Sequence, residues 1–103
     1  MKSIQELEAM GFKRWTKGNM DRMYINATDL GLACEYYKTG NISYAEFQGH
    51  EISHSRAYSL KASKTYIDLT TNTLVSNDQW LMEAAAALLG IEYISGSSKI
   101  KIA

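Results

Sequence analysis

Apolar and polar positions in the first quarter of the chain follow two different periods. Residues 4–10 follow a Ser-x-x-Glu capping box and carry apolar side chains at helical spacing, which predicts a short helix that Gly11 ends. Residues 12–26 place aromatic and β-favouring side chains around a Gly-Asn pair, which suits the positive φ angles of a tight turn. This segment is therefore predicted to form a hairpin.

The same order of elements repeats in the next segment. Asn26 is placed to cap a brief helix that ends at Gly31. A second Gly-Asn turn within residues 33–47 predicts a second hairpin. Ser53 is a good N-cap and predicts a helix over residues 54–63.

The second half of the chain predicts a third hairpin and a last helix. Residues 64–69 alternate like a strand, and a polar turn precedes a returning strand that includes residues 74–75. Ser76 or Asn77 is expected to cap a helix over 78–89, which the following glycine ends. The apolar stripe that should face the core consists of Trp80, Leu81, Ala84, Ala85 and Leu88.

Together these elements predict an α+β fold: a small antiparallel sheet built from hairpins, with three to four short helices packed on it. Residues 1–94 are expected to form one compact domain, because the chain has no proline and therefore no proline-rich linker between domains. A short strand is expected over 91–94. Residues 95–103 begin with the flexible stretch SGSS, and they are expected to be either a loose tail or an edge strand.

Composition narrows the classes of function. Lys plus Arg and Asp plus Glu each number 11, so the formal net charge is zero. A DNA-coating protein is usually strongly basic and a DNA mimic strongly acidic, and neither class fits, although charge can still be sorted between faces.

The single cysteine, Cys34, excludes an intramolecular disulfide. Because the N-terminal segment is acidic and no apolar run spans a bilayer, we expect a cytoplasmic monomer with no membrane contact.

The stretch HEISH at 50–54 matches H-E-x-x-H, in which two histidines on one helical face bind zinc and the glutamate activates a water molecule. That geometry requires a helix that starts well before His50. Gly49 and the capping residue Ser53 instead favour a turn at His50 and a new helix that contains His54, so the two rings would not converge. No later histidine or cysteine supplies a third ligand. We therefore expect no metal and no cofactor, and a zinc hydrolase is the third hypothesis.

Cations and aromatic rings alternate in the first hairpin and recur in the second. Cations can contact phosphates and rings can stack on unpaired bases, so such a pattern suits nucleic-acid binding. The patch would extend across both hairpins if they lie side by side. Alternatively, Trp15, Tyr36 and Phe47 belong to the core and the cations to a solvated face. The candidate partner-binding residues are Lys13, Arg14, Trp15, Lys17, Arg22, Tyr36, Tyr37 and Lys38.

Three blocks of the sequence carry a family resemblance: GFKRWTKGNMDRMYIN (11–26), YYKTGNISYAEFQG (36–49) and SKTYIDL (63–69). They resemble small proteins of bacteriophages and mobile elements of the type II-A anti-CRISPR (Cas9 inhibitor) kind. The resemblance implies a protein that binds a Cas9-type CRISPR effector nuclease or its guide RNA complex in the host bacterial cell. It further implies that target DNA recognition or cleavage is blocked, and it assigns no role to any single residue.

The sequence shows no paired carboxylates, no Ser-His-Asp order and no phosphate-binding glycine loop, so we expect a binding protein and no enzyme. Two hypotheses about what it binds follow. The first is a non-enzymatic inhibitor of a CRISPR effector nuclease, implied by the resemblance. The alternative is a small RNA- or single-stranded-DNA-binding module that uses the basic-aromatic hairpin.

Overall fold

Hairpins build two antiparallel sheets in the computed structural model of this protein, which describes residues 2–102. The larger sheet has five strands in the order β1 (Lys13–Lys17), β2 (Met20–Ile25), β6 (Thr65–Asp68), β7 (Thr73–Ser76) and β8 (Lys99–Lys101). The smaller sheet has the order β3 (Leu32–Tyr36), β4 (Ile42–Phe47) and β5 (His50–Glu51). The predicted α+β class is confirmed, whereas the expected single sheet is in fact two.

The helices begin and end at local signals. They are α1 (Ile4–Ala9), a 3-10 helix (Ala27–Leu30), α2 (His54–Ala62) and α3 (Gln79–Leu89). The capping box before α1 and the Ser53 cap of α2 are both present, as predicted. The cap of α3 is Asp78 and neither of the two residues expected, because the Asp78 carboxylate accepts N–H bonds from the first turn. Asn26 precedes the 3-10 helix but makes no side-chain capping bond.

Helix α3 packs on β6 and β7, and its buried face differs from the predicted stripe. Trp80 and Leu88 are 41% and 37% exposed. When a helix is apolar on nearly every side, its sequence does not show which side will be buried. The contacts with the sheet decide this. The buried residues of α3 are Leu81, Met82, Ala85, Ala86 and Leu89.

The segment after α3 does not form the strand expected over 91–94. Gly90 adopts a left-handed conformation, and Ile91 donates its N–H to the Ala86 carbonyl, so the chain turns sharply away from the helix. Strand β8 then pairs with β7, and Ile100 is only 5% exposed opposite Leu74. Of the two alternatives for the C-terminal segment, the structure contains the edge strand.

Candidate functional site

The two faces of the five-stranded sheet differ in burial along β2, β6, β7 and β8, since successive side chains of a strand point to opposite faces, whereas β1 is exposed on both sides. The inner face packs against the helices and carries the buried residues Met23, Ile25, Thr65, Ile67, Leu74, Ser76 and Ile100. The other face, called the open face below, carries Lys13, Trp15, Lys17, Met20, Arg22, Tyr24, Tyr66, Asp68, Thr73, Val75, Lys99 and Lys101. None of these twelve residues is buried within the described chain.

Three aromatic rings and one guanidinium form the centre of the open face. Arg22 lies opposite Trp15 in the β1–β2 register, and Tyr24 lies opposite Tyr66 in the β2–β6 register. The Arg22 guanidinium carbon lies 4.3 Å from the Tyr66 ring centroid and 6.0 Å from that of Trp15. Tyr24 contacts Trp15 edge to face at 6.0 Å and Tyr66 at 5.0 Å. Cation–π contacts of this kind hold the arginine in place over the sheet.

Arg22 also donates a 2.9 Å hydrogen bond to the Tyr24 hydroxyl. This bond raises the pKa of Arg22 above its ordinary value, which is already high enough to keep a guanidinium charged at neutral pH. Trp15 remains 39% exposed despite its contacts. The centre of the open face is therefore an ordered cation among rings that solvent and partners can still reach.

Charge on the open face is strongly one-sided. Its cations are Lys13, Lys17, Arg22, Lys99 and Lys101, and its one carboxylate is Asp68. A side-chain hydrogen bond from Thr70 lowers the pKa of Asp68, with a smaller contribution from nearby Arg22, so this carboxylate is ionised at neutral pH. The face nevertheless keeps an excess of positive charge, which attracts anions over about a Debye length of 8–10 Å in physiological salt.

A groove continues the open face toward the end of α2. Its volume is about 480 Å³, and Trp15 and Tyr24 line one side while Lys61 and Lys64 line the other. Lys61 donates a 2.7 Å hydrogen bond to the Tyr36 hydroxyl, which raises the pKa of Lys61. The groove therefore adds two further cations beside the most exposed ring of the sheet.

The structure separates the predicted site residues into three groups. Lys13, Trp15, Lys17 and Arg22 share the open face. Arg14 points to the opposite face of β1, where it forms a bidentate pair with Asp21 at 3.0 and 2.7 Å. The third group belongs to the second hairpin, which lies in the other sheet: Tyr36, Tyr37 and Lys38.

The condition for one patch across both hairpins, that they lie side by side, is therefore not met, and Tyr36 reaches the groove only through Lys61. Trp15 and Tyr36 are 39% and 50% exposed, so the alternative that places both in the core is also wrong, although Phe47 is buried. Sequence reasoning did not include Tyr24, Tyr66, Lys99 and Lys101 in the patch. The alternation of residues 64–69, which places Tyr66 on the face opposite Ile67, was visible in the sequence, but the strand order that joins these residues was not.

The outer face of the three-stranded sheet carries the opposite charge. Glu35, Glu46 and Glu51 occupy its outward positions together with Tyr44. The Tyr44 hydroxyl donates a 2.9 Å hydrogen bond to Glu46, and this bond, with the surrounding carboxylates, raises the pKa of Tyr44. The net charge of zero therefore hides two sheet faces of opposite charge, with five cations and one carboxylate on the open face and three carboxylates on the outer face of the small sheet.

The HEISH segment does not have the geometry of a zinc site. His50 and Glu51 lie in β5, paired with β4, and His54 is the first residue of α2 after the Ser53 cap. The expected new helix start is confirmed, but His50 lies in a strand and the turn is formed by the preceding Gln48 and Gly49. Across residues 2–102 no three His, Cys, Asp or Glu side chains lie close enough together to hold a metal ion.

Comparison with known proteins assigns no function, so a functional proposal has to be argued from the fold and the open face. The chain matches no protein-family model, and neither a curated protein nor a solved structure is significantly similar to it. In the described part of the chain, no helix is both long enough and apolar enough to cross a membrane. The resemblance to Cas9 inhibitors therefore stays a prediction, and the structure defines the class of protein: a small α+β protein with an exposed basic-aromatic sheet face.

Proposed function

We propose that this protein is a non-enzymatic inhibitor that binds a Cas9-type CRISPR effector nuclease with its guide RNA and blocks recognition or cleavage of target DNA in the bacterial cytoplasm. The observation that carries the proposal is the open face, where five cations and three rings lie together without a covering helix. The resemblance of three sequence blocks to anti-CRISPR proteins supplies the identity of the partner.

The charge of the open face limits what it can contact on such an effector. The protein channels that hold the heteroduplex are positively charged and would repel the lysines of this face. The phosphates of the guide RNA attract them. The open face is therefore suited to contact the guide RNA. The acidic outer face of the three-stranded sheet is suited to face the basic protein surface of the channel.

Arg22 and Trp15 are suited to be the energetic centre of this contact. Arginine and tryptophan are enriched among interface residues whose truncation costs the most binding free energy. Because its contacts with Tyr24 and Tyr66 already hold Arg22 in place, binding loses less side-chain entropy than it would with a free arginine.

The test mixes the purified protein with assembled effector and guide RNA and measures target cleavage, with co-elution on a sizing column as the second readout. We expect cleavage to be inhibited by the wild type and inhibition to be lost in Arg22→Ala and in Trp15→Ala. Arg14→Ala is the matched control, since Arg14 is an arginine like Arg22 and lies next to Trp15 on β1 but faces away from the open face. Intact cleavage at large molar excess, with effectors of several subtypes, would refute the proposed function.

A further inference from the structure

We propose that the open face binds an unpaired stretch of nucleic acid directly. Its bases stack against Trp15 and within the adjoining groove, and its phosphates contact lysines at both edges of the sheet. The inference rests on the proposed function in one respect, namely that the unpaired stretch in the cell is guide RNA.

The rings favour an unpaired strand over a duplex. A base offers its flat face to a protein only when it is not stacked inside a helix, and exposed aromatic side chains on antiparallel sheets bind such bases. Trp15 is 39% exposed and borders the groove of about 480 Å³ that Lys61 and Lys64 close on the far side. A base that enters this groove meets one indole and two ammonium groups.

The cations are placed at both ends of a path across the sheet. Lys13 and Lys17 lie on β1, and Lys99 and Lys101 lie on β8, with three strands between them. Neighbouring strands are about 4.8 Å apart, so the two edges are separated by about 19 Å. The rings lie on the first three strands of this path, so a single strand that crosses from β1 to β8 passes Trp15, Tyr24 and Tyr66 and reaches lysines at each end.

The experiment measures fluorescence anisotropy of a labelled, non-self-complementary RNA of about 12 nucleotides, within the range of site sizes of small single-strand-binding folds. Binding is expected at low salt, with affinity that falls as salt rises. Trp15→Ala is expected to weaken binding by about 5- to 150-fold, the range for loss of one base–ring stack. The double variant Lys99→Ala/Lys101→Ala is expected to reduce the slope of log affinity against log salt by about 1.4, since each phosphate contact contributes about 0.7.

Two controls make the measurement independent of folding defects. Arg14→Ala is expected to bind RNA like the wild type. The chain has two tryptophans, so Trp80→Phe leaves Trp15 as the one indole, and RNA is expected to quench its fluorescence in an otherwise intact open face. DNA of the same sequence is expected to bind within about threefold of RNA, because stacking and phosphate contacts do not require the 2′-hydroxyl.

The outcomes separate this inference from the proposed function. RNA binding without inhibition of any effector supports the inference and contradicts the inhibitor. Inhibition that depends on Arg22 without binding of RNA at low salt overturns the inference, since the open face then contacts protein. Tighter binding of duplex than of single strand, or an affinity that is unchanged in Trp15→Ala, overturns it as well.

Discussion

Replacement of Asp78 is expected to destabilise the whole domain, because this side chain joins α2 to the start of α3. Its Oδ1 accepts hydrogen bonds from the N–H groups of Trp80 and Leu81 at 2.9 and 3.2 Å. The Arg56 guanidinium donates to both carboxylate oxygens at 2.6 and 3.0 Å and also lies 4.1 Å from the Trp80 ring. Asp78 is 8% exposed and Arg56 27% exposed, so water screens this ion pair only in part.

The expected loss in the free energy of unfolding follows from the contacts that each substitution removes. Asp78→Ala removes a helix cap, which costs about 1 kcal/mol. It also leaves Arg56 without its charged partner, which costs about 2 kcal/mol more. With an unfolding entropy of about 2.1 cal/mol/K per residue, a loss of about 3 kcal/mol lowers Tm by about 14 °C in a chain of 103 residues. Asp78→Asn keeps a capping oxygen and is expected to lose about 2 kcal/mol.

Urea and thermal unfolding followed by circular dichroism measure this loss. The control is Glu83→Ala, which removes a carboxylate from an exposed position of the same helix and is expected to change stability by less than about 0.5 kcal/mol. Equal stabilities of Asp78→Ala and Glu83→Ala would show that neither the helix cap nor the pair with Arg56 contributes to stability, and the reasoning would be wrong.

The pH dependence supplies a second readout of the same pair. Burial alone raises the pKa of Asp78, but hydrogen bonds from Arg56, Leu81 and Trp80 outweigh it, and the pKa lies below the usual 3.8. A carboxyl group whose pKa is lower in the folded state stabilises that state above its unfolded pKa and loses this contribution as pH falls through the folded value. The Tm difference between wild type and Asp78→Asn is therefore expected to be constant above about pH 5 and to shrink below about pH 4.

Three further predictions follow from single positions. Gly31→Ala is expected to lower the free energy of unfolding in urea by about 1 kcal/mol more than Gly40→Ala. Both glycines have positive φ, but only at Gly31 does a methyl group displace the Gln48 amide from its hydrogen bond to the Leu30 carbonyl. Equal losses of stability in the two variants would contradict this prediction. Ile100→Ala is expected to cost about 2–4 kcal/mol, as for a core residue, and the absence of any loss would mean that β8 contributes nothing to the core. Protein purified without chelator is expected to contain no stoichiometric zinc by elemental analysis, since the two histidines of HEISH lie on different elements.

Turns and helix ends were predictable from the sequence because their causes are local. A glycine with positive φ is needed wherever the chain reverses tightly, and Gly18, Gly40 and Gly90 all have that conformation. A hydroxyl that accepts an N–H three residues later requires no distant partner, so Ser53 marked the start of α2 correctly. The third helix shows the limit, because serine, asparagine and aspartate in succession all suit a cap and only the packing of Asp78 against Arg56 selects one.

The sequence by itself determined most of the elements and their order, because helix caps, tight turns and period-two alternation depend on backbone conformation over a few residues. Only the tertiary structure decided which strands are neighbours. That order places Tyr66 against Arg22 across more than forty residues of chain and adds β8 with its two lysines to the open face, whereas Arg14 faces away from these cations through the alternation within β1 alone. Strand pairing is set by burial of the inner face, to which the outward residues contribute little. The composition of the open face is therefore a consequence of core packing that local patterns do not contain.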